Sequence, residues 1–192
     1  MDTPSDKQTS GIAKPLETAM LGGGCFWCLE AVFSELAGVH EVRSGYCGGH
    51  IESPDYASVC TGQTGHAEVV RIRFDPEALS FRQVLEVFFA IHDPTTLDRQ
   101  GNDVGSQYRS VIFATTPSQR DEAAGHVQAL TRAGVFDAPI VTAIEAAQPF
   151  WPAEAVHDDY YARHPQQPYC QYVVAPKLAK FRHLFATLRR SV

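Results

Sequence analysis

The chain has 192 residues, of which 44% are hydrophobic and 20% charged, and a formal net charge of −6. It is long enough for one domain with a real core, and its composition is ordinary for a soluble globular protein. The acidic balance (pI near 5.7) and the lack of a basic stripe argue against nucleic acid or an anionic membrane as partner, and no apolar run is long enough to span a bilayer.

Residues 1–16 are polar, with no apolar secretory segment, and carry acidic residues that a transit peptide avoids. They are expected to form a disordered tail ahead of a single domain over 17–192. Five cysteines, an odd number without an export signal, fit a reducing, cytoplasmic compartment. The thiols are then expected to be catalytic or metal-binding rather than structural bridges.

Thr18 to Leu21 reads as a short buried strand. It runs into Gly22-Gly23-Gly24-Cys25-Phe26-Trp27-Cys28, and the helix that follows places Leu29, Val32, Phe33 and Leu36 on one face and stops at Gly38. Val39 to Tyr46 is a second strand, closed by Gly48-Gly49. Ile51 to His66 is a long polar loop with one turn near Tyr56 to Cys60. Ala67 to Phe74 alternates as a strand and ends at Asp75-Pro76. Ser80 caps a helix that aligns Phe81, Val84, Leu85 and Phe88. Asp93 to Gln107 is a second polar loop, Tyr108 to Ala114 a strand, Pro117 to Ala133 a helix and Ile140 to Ile144 another strand. Pro152 to Arg163 reads as helical, Pro165 to Pro176 as irregular, and Lys177 to Leu188 as a last amphipathic helix. Through Ala114 the order is strand, helix, strand, strand, helix, strand. That order implies an α+β fold with a ferredoxin-like two-layer sandwich core. Loops this long in a compact domain are often functional.

Cys25 falls where a glycine turn enters a helix, a place whose dipole and free N–H groups favour an anion. A thiol there is expected to be partly thiolate near neutral pH, hence a nucleophile. Phe26 and Trp27 imply an apolar pocket beside the sulfur. Alternation puts Glu68 on the same strand face as Val70, Ile72 and Phe74, where burial raises a carboxyl pKa and makes a proton donor; a frayed strand end with Glu68 in water fits the pattern equally well. Tyr56, Tyr108, Asp103 and Gln107 lie in the two loops, and buried phenols can donate to a developing oxyanion. His66 and His157 read as isolated surface or satisfied residues. Thiolate, aromatic pocket, acid and phenols together suit attack on an electrophilic heteroatom whose oxygen is protonated, with further thiols closing a disulfide.

From Leu21 to about Lys180 the chain resembles the peptide-methionine (S)-S-oxide reductases, the A-type methionine sulfoxide reductases. The likeness rests on Gly24-Cys25-Phe26-Trp27, Ser44 to His50 (Ser-Gly-Tyr-Cys-Gly-Gly-His), Thr64 to Glu68 (Thr-Gly-His-Ala-Glu), His92 to Thr95, Arg99 to Asp103, Gln107 to Ser110, Pro149 to Glu154 and Tyr169-Cys170. The resemblance implies that Cys25 attacks the sulfoxide sulfur and is left as a sulfenic acid. It implies that Glu68 protonates the oxygen, that Tyr56 and Tyr108 hydrogen-bond it with Asp103 in support, and that Phe26 and Trp27 hold the S-methyl group. Cys170 matches the usual resolving position, and Cys28 is the second candidate resolver; Cys170 is expected to act first. A further C-terminal cysteine that some relatives use as a relay is missing here, and Cys28 is a candidate for that task. Cys47 and Cys60 read as bystanders. The resemblance further implies repair of oxidised proteins and peptides carrying methionine S-sulfoxide, use of free methionine S-sulfoxide, a monomer, no bound cofactor or metal, and recycling by thioredoxin, or by dithiothreitol in vitro.

Two other readings compete. Cys25-Phe26-Trp27-Cys28 is also the C-x-x-C element of a thioredoxin-like disulfide oxidoreductase, although that leaves Glu68 and the tyrosine loops without a task. A structural zinc module would need Cys25 and Cys28 plus two of Cys47, His50, Cys60 and Cys170, whereas such sites usually pair two close couples and only one exists.

Overall fold

The computed structural model describes residues 15–190; most of the expected tail lies outside them. Strand β1 (Glu17–Gly23) leads through Gly24 and Cys25 into helix α1 (Phe26–Phe33), followed by β2 (Val39–Cys47), a short helix α2 (Tyr56–Cys60) and β3 (Ala67–Phe74). Helix α3 (Phe81–Ile91) comes next, then a two-residue hairpin pair, β4 (Arg99–Gln100) and β5 (Asp103–Val104), and β6 (Ser110–Ala114). Helix α4 (Pro117–Arg132), β7 (Ala143–Ala146), β8 (Trp151–Pro152), α5 (Tyr160–Arg163) and α6 (Ala175–Leu184) complete the described chain.

The main sheet has the order β7-β6-β1-β3-β2-β8. Its inner four strands, β6-β1-β3-β2, are all antiparallel neighbours, the arrangement the strand-helix alternation implies. Beyond that core, β7 adds in parallel to β6 after α4, and β8 pairs antiparallel with the far edge of β2.

One sheet face carries Ala19, Leu21, Val70, Ile72 and Phe74 against α1 and α3, and α6 packs across both helices. The other face holds a smaller buried cluster of Met20, Cys47, Ala67, Val69, Val111 and Phe113, covered in part by Ala143 and Phe150. Helix α3 starts with a capping box: Ser80 Oγ accepts from Gln83 N–H at 3.2 Å while Gln83 Oε1 accepts from Ser80 N–H at 2.9 Å, which satisfies two otherwise orphaned donors.

Several local expectations change. Gly22 and Gly23 belong to β1, paired with Val111 and Ser110 of β6. Tyr108 ends a 3-10 turn (Ser106–Tyr108) rather than starting a strand. Pro152 to Arg163 is not one helix: Trp151–Pro152 is an edge strand, Ala155–His157 a 3-10 turn, and only Tyr160–Arg163 is α-helical. Pairing of Trp151 with Tyr46 outweighs the helical periodicity there. Nor is Pro165 to Pro176 irregular throughout, because Cys170–Val174 forms a π-helical turn that continues into α6, with Pro176 tolerated in its first turn.

Candidate active site

Strands β1 and β2 end, and β3 and β6 begin, at the same edge of the antiparallel sheet, and the site is built there. Gly24 makes the corner between β1 and α1 with φ +91°, a conformation that glycine adopts without steric cost. A Cβ at Gly24 would come within 2.5 Å of Gln100 Cγ. Gln100 in turn is fixed to the backbone of Asp93, its Oε1 accepting from Asp93 N–H at 3.1 Å and its Nε2 donating to Asp93 O at 3.0 Å. Behind the corner lies buried His92. Its Nδ1–H donates to Phe88 O at 2.6 Å, so Nε2 is left to accept from Ser110 Oγ at 2.8 Å. Burial holds the imidazole neutral, with its pKa pushed down to about 4.

Glu68 is not in water. It faces the helices, is 1% exposed, and its Oε2 accepts from the N–H of Phe26 at 3.0 Å. That donor belongs to the residue directly after Cys25. Burial raises the carboxyl pKa to about 8, outweighing the opposing hydrogen bond from Phe26, so Glu68 carries a proton at neutral pH.

Cys25 departs from the sequence expectation. It is buried at the N-terminal cap of α1, and that burial, together with the hydrogen bond to Cys28 and the charge of an ionised Glu68, raises its thiol well above the ordinary value. The short helix's favourable field does not offset the lost hydration. The resting sulfur is a thiol held ready beside an acid, not a free thiolate.

The aromatic residues form a wall. Phe26 is fully buried, and its ring lies 5.2 Å from His157, 5.9 Å from Tyr46 and 6.3 Å from Tyr56, centroid to centroid. Half-buried Trp27 stacks flat on Tyr160 at 3.7 Å with a 3° interplanar angle, and its indole N–H donates to His157 Nδ1 at 3.2 Å. His157 is therefore no isolated surface residue: it is a buried, neutral acceptor that orients Trp27, its pKa lowered by burial. Glu154 ties the wall together, accepting from Tyr46 Oη at 2.9 Å and Tyr56 N–H at 2.8 Å. A capping box between Asp55 and Ser58 sets the first turn of α2 and with it Tyr56. Glu30, on α1, has its carboxyl raised to about 7 by burial and accepts from Tyr160 N–H at 3.4 Å, which secures the partner of Trp27 from below.

Tyr56 and Tyr108 converge on Glu68. Burial first, and then the Glu68 charge, pushes both phenols up, so both stay protonated donors. Asp103, on β5, accepts from Tyr169 Oη at 2.5 Å. Tyr169 also stands edge-on to Trp27 at 5.8 Å, and its hydroxyl is close enough to Cys25 and Cys28 to draw both thiols' pKa down slightly. Sequence reasoning missed Tyr169, Tyr46, Glu154, His157 and Glu30. Two signals were present: Tyr169 precedes Cys170, and Glu154 and His157 stand three residues apart just beyond an aromatic pair. Gln107, singled out with the loop residues, is instead buried against α2, where its Nε2 donates to Cys60 O at 3.3 Å.

Of the remaining thiols, Cys28 and Cys170 are fully buried near the site, Cys47 is on the opposite sheet face, and exposed Cys60 hydrogen-bonds with Tyr56. Cys170 belongs to the ordered π-helical turn, not to an irregular segment. Among the described residues no group of three or more His, Cys, Asp or Glu side chains is arranged to hold a metal ion, so the ligand set of the zinc module is not assembled.

Fold and site together define a thiol oxidoreductase: a buried cysteine, a protonated carboxyl one residue's N–H away, phenolic donors and an aromatic wall on an α+β frame. The family model described as peptide methionine sulfoxide reductase matches residues 17–188. "Peptide methionine sulfoxide reductase MsrA" of Ralstonia nicotianae is 59% identical over 175 residues, covering 89% of this chain and 92% of that protein. The protein of the same name from Chromobacterium violaceum is 57% identical over 173 residues, covering 90% and 98%. Among solved structures, the reduced form of Mxr1 from Saccharomyces cerevisiae superposes with a TM-score of 0.74 at 30% identity, covering 81% of this chain and 90% of that one. Methionine sulfoxide reductase A of Corynebacterium diphtheriae gives 0.70 at 33% identity, covering 79% and 76%. The chain belongs to the peptide methionine sulfoxide reductase family. It is an oxidoreductase of that class, and the thioredoxin-like C-x-x-C reading is not favoured.

Proposed function

We propose that the chain reduces methionine S-sulfoxide in proteins and peptides, and the free amino acid as well, with Cys25 as nucleophile and Glu68 as acid. The observation that carries this reading is the Glu68 carboxyl: buried, protonated at neutral pH, and bonded to the N–H that follows Cys25. The sulfoxide oxygen takes the Glu68 proton while Cys25 Sγ bonds to the sulfoxide sulfur, and the thiol proton returns to the Glu68 carboxylate. The S–O bond of this adduct then breaks with loss of water. A water attacking Cys25 Sγ breaks the new S–S bond, releasing the thioether and a proton and leaving Cys25 as a sulfenic acid, so thiol plus sulfoxide becomes sulfenic acid plus methionine. Tyr56 and Tyr108 donate to the oxygen as its charge grows, Asp103 holds Tyr169 beside the sulfur, and Phe26 and Trp27 receive the S-methyl group.

A second thiol, Cys28 or Cys170, then displaces water from the sulfenic acid to close a disulfide. In this reading the thiols are the redox groups and no bound cofactor or metal is called on. A thioredoxin-like dithiol, or dithiothreitol in vitro, reopens the disulfide. A structure of yeast Mxr1 with Trx2 exists for a relative 22% identical, TM-score 0.53; the likeness there is one of fold, and the thioredoxin partner is carried to this chain as part of the proposal. The proposal also includes a monomeric catalytic domain over 17–192, a cytoplasmic setting and a part in oxidative stress repair. No helix of the described residues is long and apolar enough to cross a membrane.

The test is methionine formation from separated epimers of a methionine sulfoxide peptide, with dithiothreitol and then with thioredoxin. Activity confined to the S epimer and abolished in Cys25→Ser is the expected result. Turnover by Cys25→Ser, or equal use of both epimers, refutes the reading.

A further inference from the structure

Two of the five cysteines, Cys25 and Cys28, stand at the first turn of α1, and a third, Cys170, opens a turn that packs on that helix. Cys25 immediately precedes the helix and Cys28 stands three residues on; Cys28 N–H donates to Cys25 O at 3.1 Å and the two thiols hydrogen-bond to each other. Residues three apart at a helix start share a face, and C-x-x-C is the spacing that closes a disulfide there.

Cys170 opens the π-helical turn, and that turn packs on α1. The sulfur that acts on Cys170 is Cys28, whose charge adds to burial in raising the Cys170 thiol. Cys25 is influenced instead by Cys28, Glu68 and Tyr169. Tyr169, the residue before Cys170, is the one whose side chain acts on Cys25. Cys28, on α1, is thus the thiol of the pair whose charge is felt at Cys170, across the contact between α1 and the π-helical turn. Irregular helical turns of this kind recur at functional sites.

Building on the reading above, we infer that Cys28 is the first thiol to trap oxidised Cys25 and that Cys170 then takes the disulfide over from Cys28. In the first step Cys28 Sγ attacks Cys25 Sγ, the S–O bond breaks, and hydroxide leaves as water with the Cys28 proton. In the second, Cys170 Sγ attacks Cys28 Sγ, the Cys25–Cys28 bond breaks, and Cys25 recovers the proton that Cys170 loses. Oxidation state is conserved in the exchange, and Cys25 is returned as a thiol while Cys28–Cys170 waits for the external dithiol. The order is the reverse of the one expected from sequence. Cys28 suits the middle place: its hydrogen bond from Cys25, and then the charge of Lys177, lower its thiol pKa despite burial. The exchange gives this chain a relay without a further C-terminal cysteine.

The experiment is a single turnover of the full chain with a methionine sulfoxide peptide and no reductant, quenched at intervals by thiol alkylation, with disulfides mapped by mass spectrometry. Wild type is expected to pass through Cys25–Cys28 before Cys28–Cys170. Cys170→Ser is expected to stop at Cys25–Cys28, and Cys28→Ser to retain Cys25 sulfenic acid with Cys25–Cys170 forming at least tenfold more slowly than the wild-type disulfide. A Cys28→Ser protein that forms Cys25–Cys170 at the wild-type rate overturns the inference, as does a Cys170→Ser protein that accumulates only sulfenic acid. Methionine released by wild type in the same samples separates the two levels: with no methionine the proposed reaction itself fails, whereas methionine released with the wrong disulfide first overturns only the order.

Discussion

Replacing Glu68 by Gln tests the proposed acid. Gln is nearly isosteric, and its carbonyl oxygen still accepts from Phe26 N–H, the 3.0 Å bond that Glu68 makes now, but it has no proton to give. With the carboxyl raised to about 8, roughly 90% of the wild-type sites hold that proton at pH 7. General acid catalysis by a positioned side chain contributes about 10²–10⁴-fold, or about 3–5 kcal/mol of barrier. kcat/KM with dithiothreitol is therefore expected to fall by that factor in Glu68→Gln, with KM changed far less than kcat. The pH profile carries a second signature. Wild-type activity should decline as pH rises through about 8, because ionised Glu68 both loses its proton and places a negative charge beside Cys25, which raises that thiol further; the two effects have the same sign. The decline should vanish in Glu68→Gln. A variant within tenfold of wild type, or one that keeps the same decline, would refute the assignment of Glu68 as the acid.

The same carboxyl shapes stability. Its folded pKa is raised above the ordinary carboxyl value by burial, so its contribution is fully present below the unfolded pKa and is lost as pH rises toward the folded one. Between pH 5 and 8 this costs wild type about 4 kcal/mol relative to Glu68→Gln, to be read as the change in the difference between their urea unfolding free energies; a pH-independent difference contradicts it. Tyr160→Leu removes the ring that stacks on Trp27 at 3.7 Å. An aromatic pair contributes about 0.5–1.5 kcal/mol beyond burial, so KM for the peptide should rise about two- to twelvefold with a smaller change in kcat, measured by steady-state kinetics. Gly24→Ala forces a φ of +91° on a residue with a side chain and drives its Cβ into Gln100. Unfolding in urea should show a loss of about 1–3 kcal/mol, with a lower kcat because Cys25 is the next residue.

The strand-helix alternation made the four-strand core legible from sequence, and the period-two pattern of β3 placed Glu68 on the correct face. Local signals marked the corner at Gly24 and the capped start of α3, whereas the Asp55–Ser58 cap of α2 was found only in the structure. The ionisation of Cys25 was not legible, because a helix-start motif reveals the favourable field but not the burial that opposes it. The second half of the site also escaped. Glu154, His157 and Tyr160 reach Phe26, Tyr56 and Trp27 from more than 90 residues away, and such contacts have no local periodicity. Trp151 and Pro152 form an edge strand only because β2 is there to pair with them. Cys170 looked loose because prolines flank its segment, yet the widened π-helical turn at Cys170–Val174 runs straight into α6 and Pro176 is accommodated just after it.

The small cluster behind the sheet has a bearing on self-preservation. The chain has two methionines, and the described one, Met20, is 5% exposed, sealed among Val69, Val111 and Phe113 on the face away from Cys25. An oxidant reaches a sulfur by access, and a thioether shut inside close-packed strands offers little. A catalyst that mends this lesion in others thus keeps its own internal copy of the vulnerable group out of harm's way, and out of reach of its own chemistry.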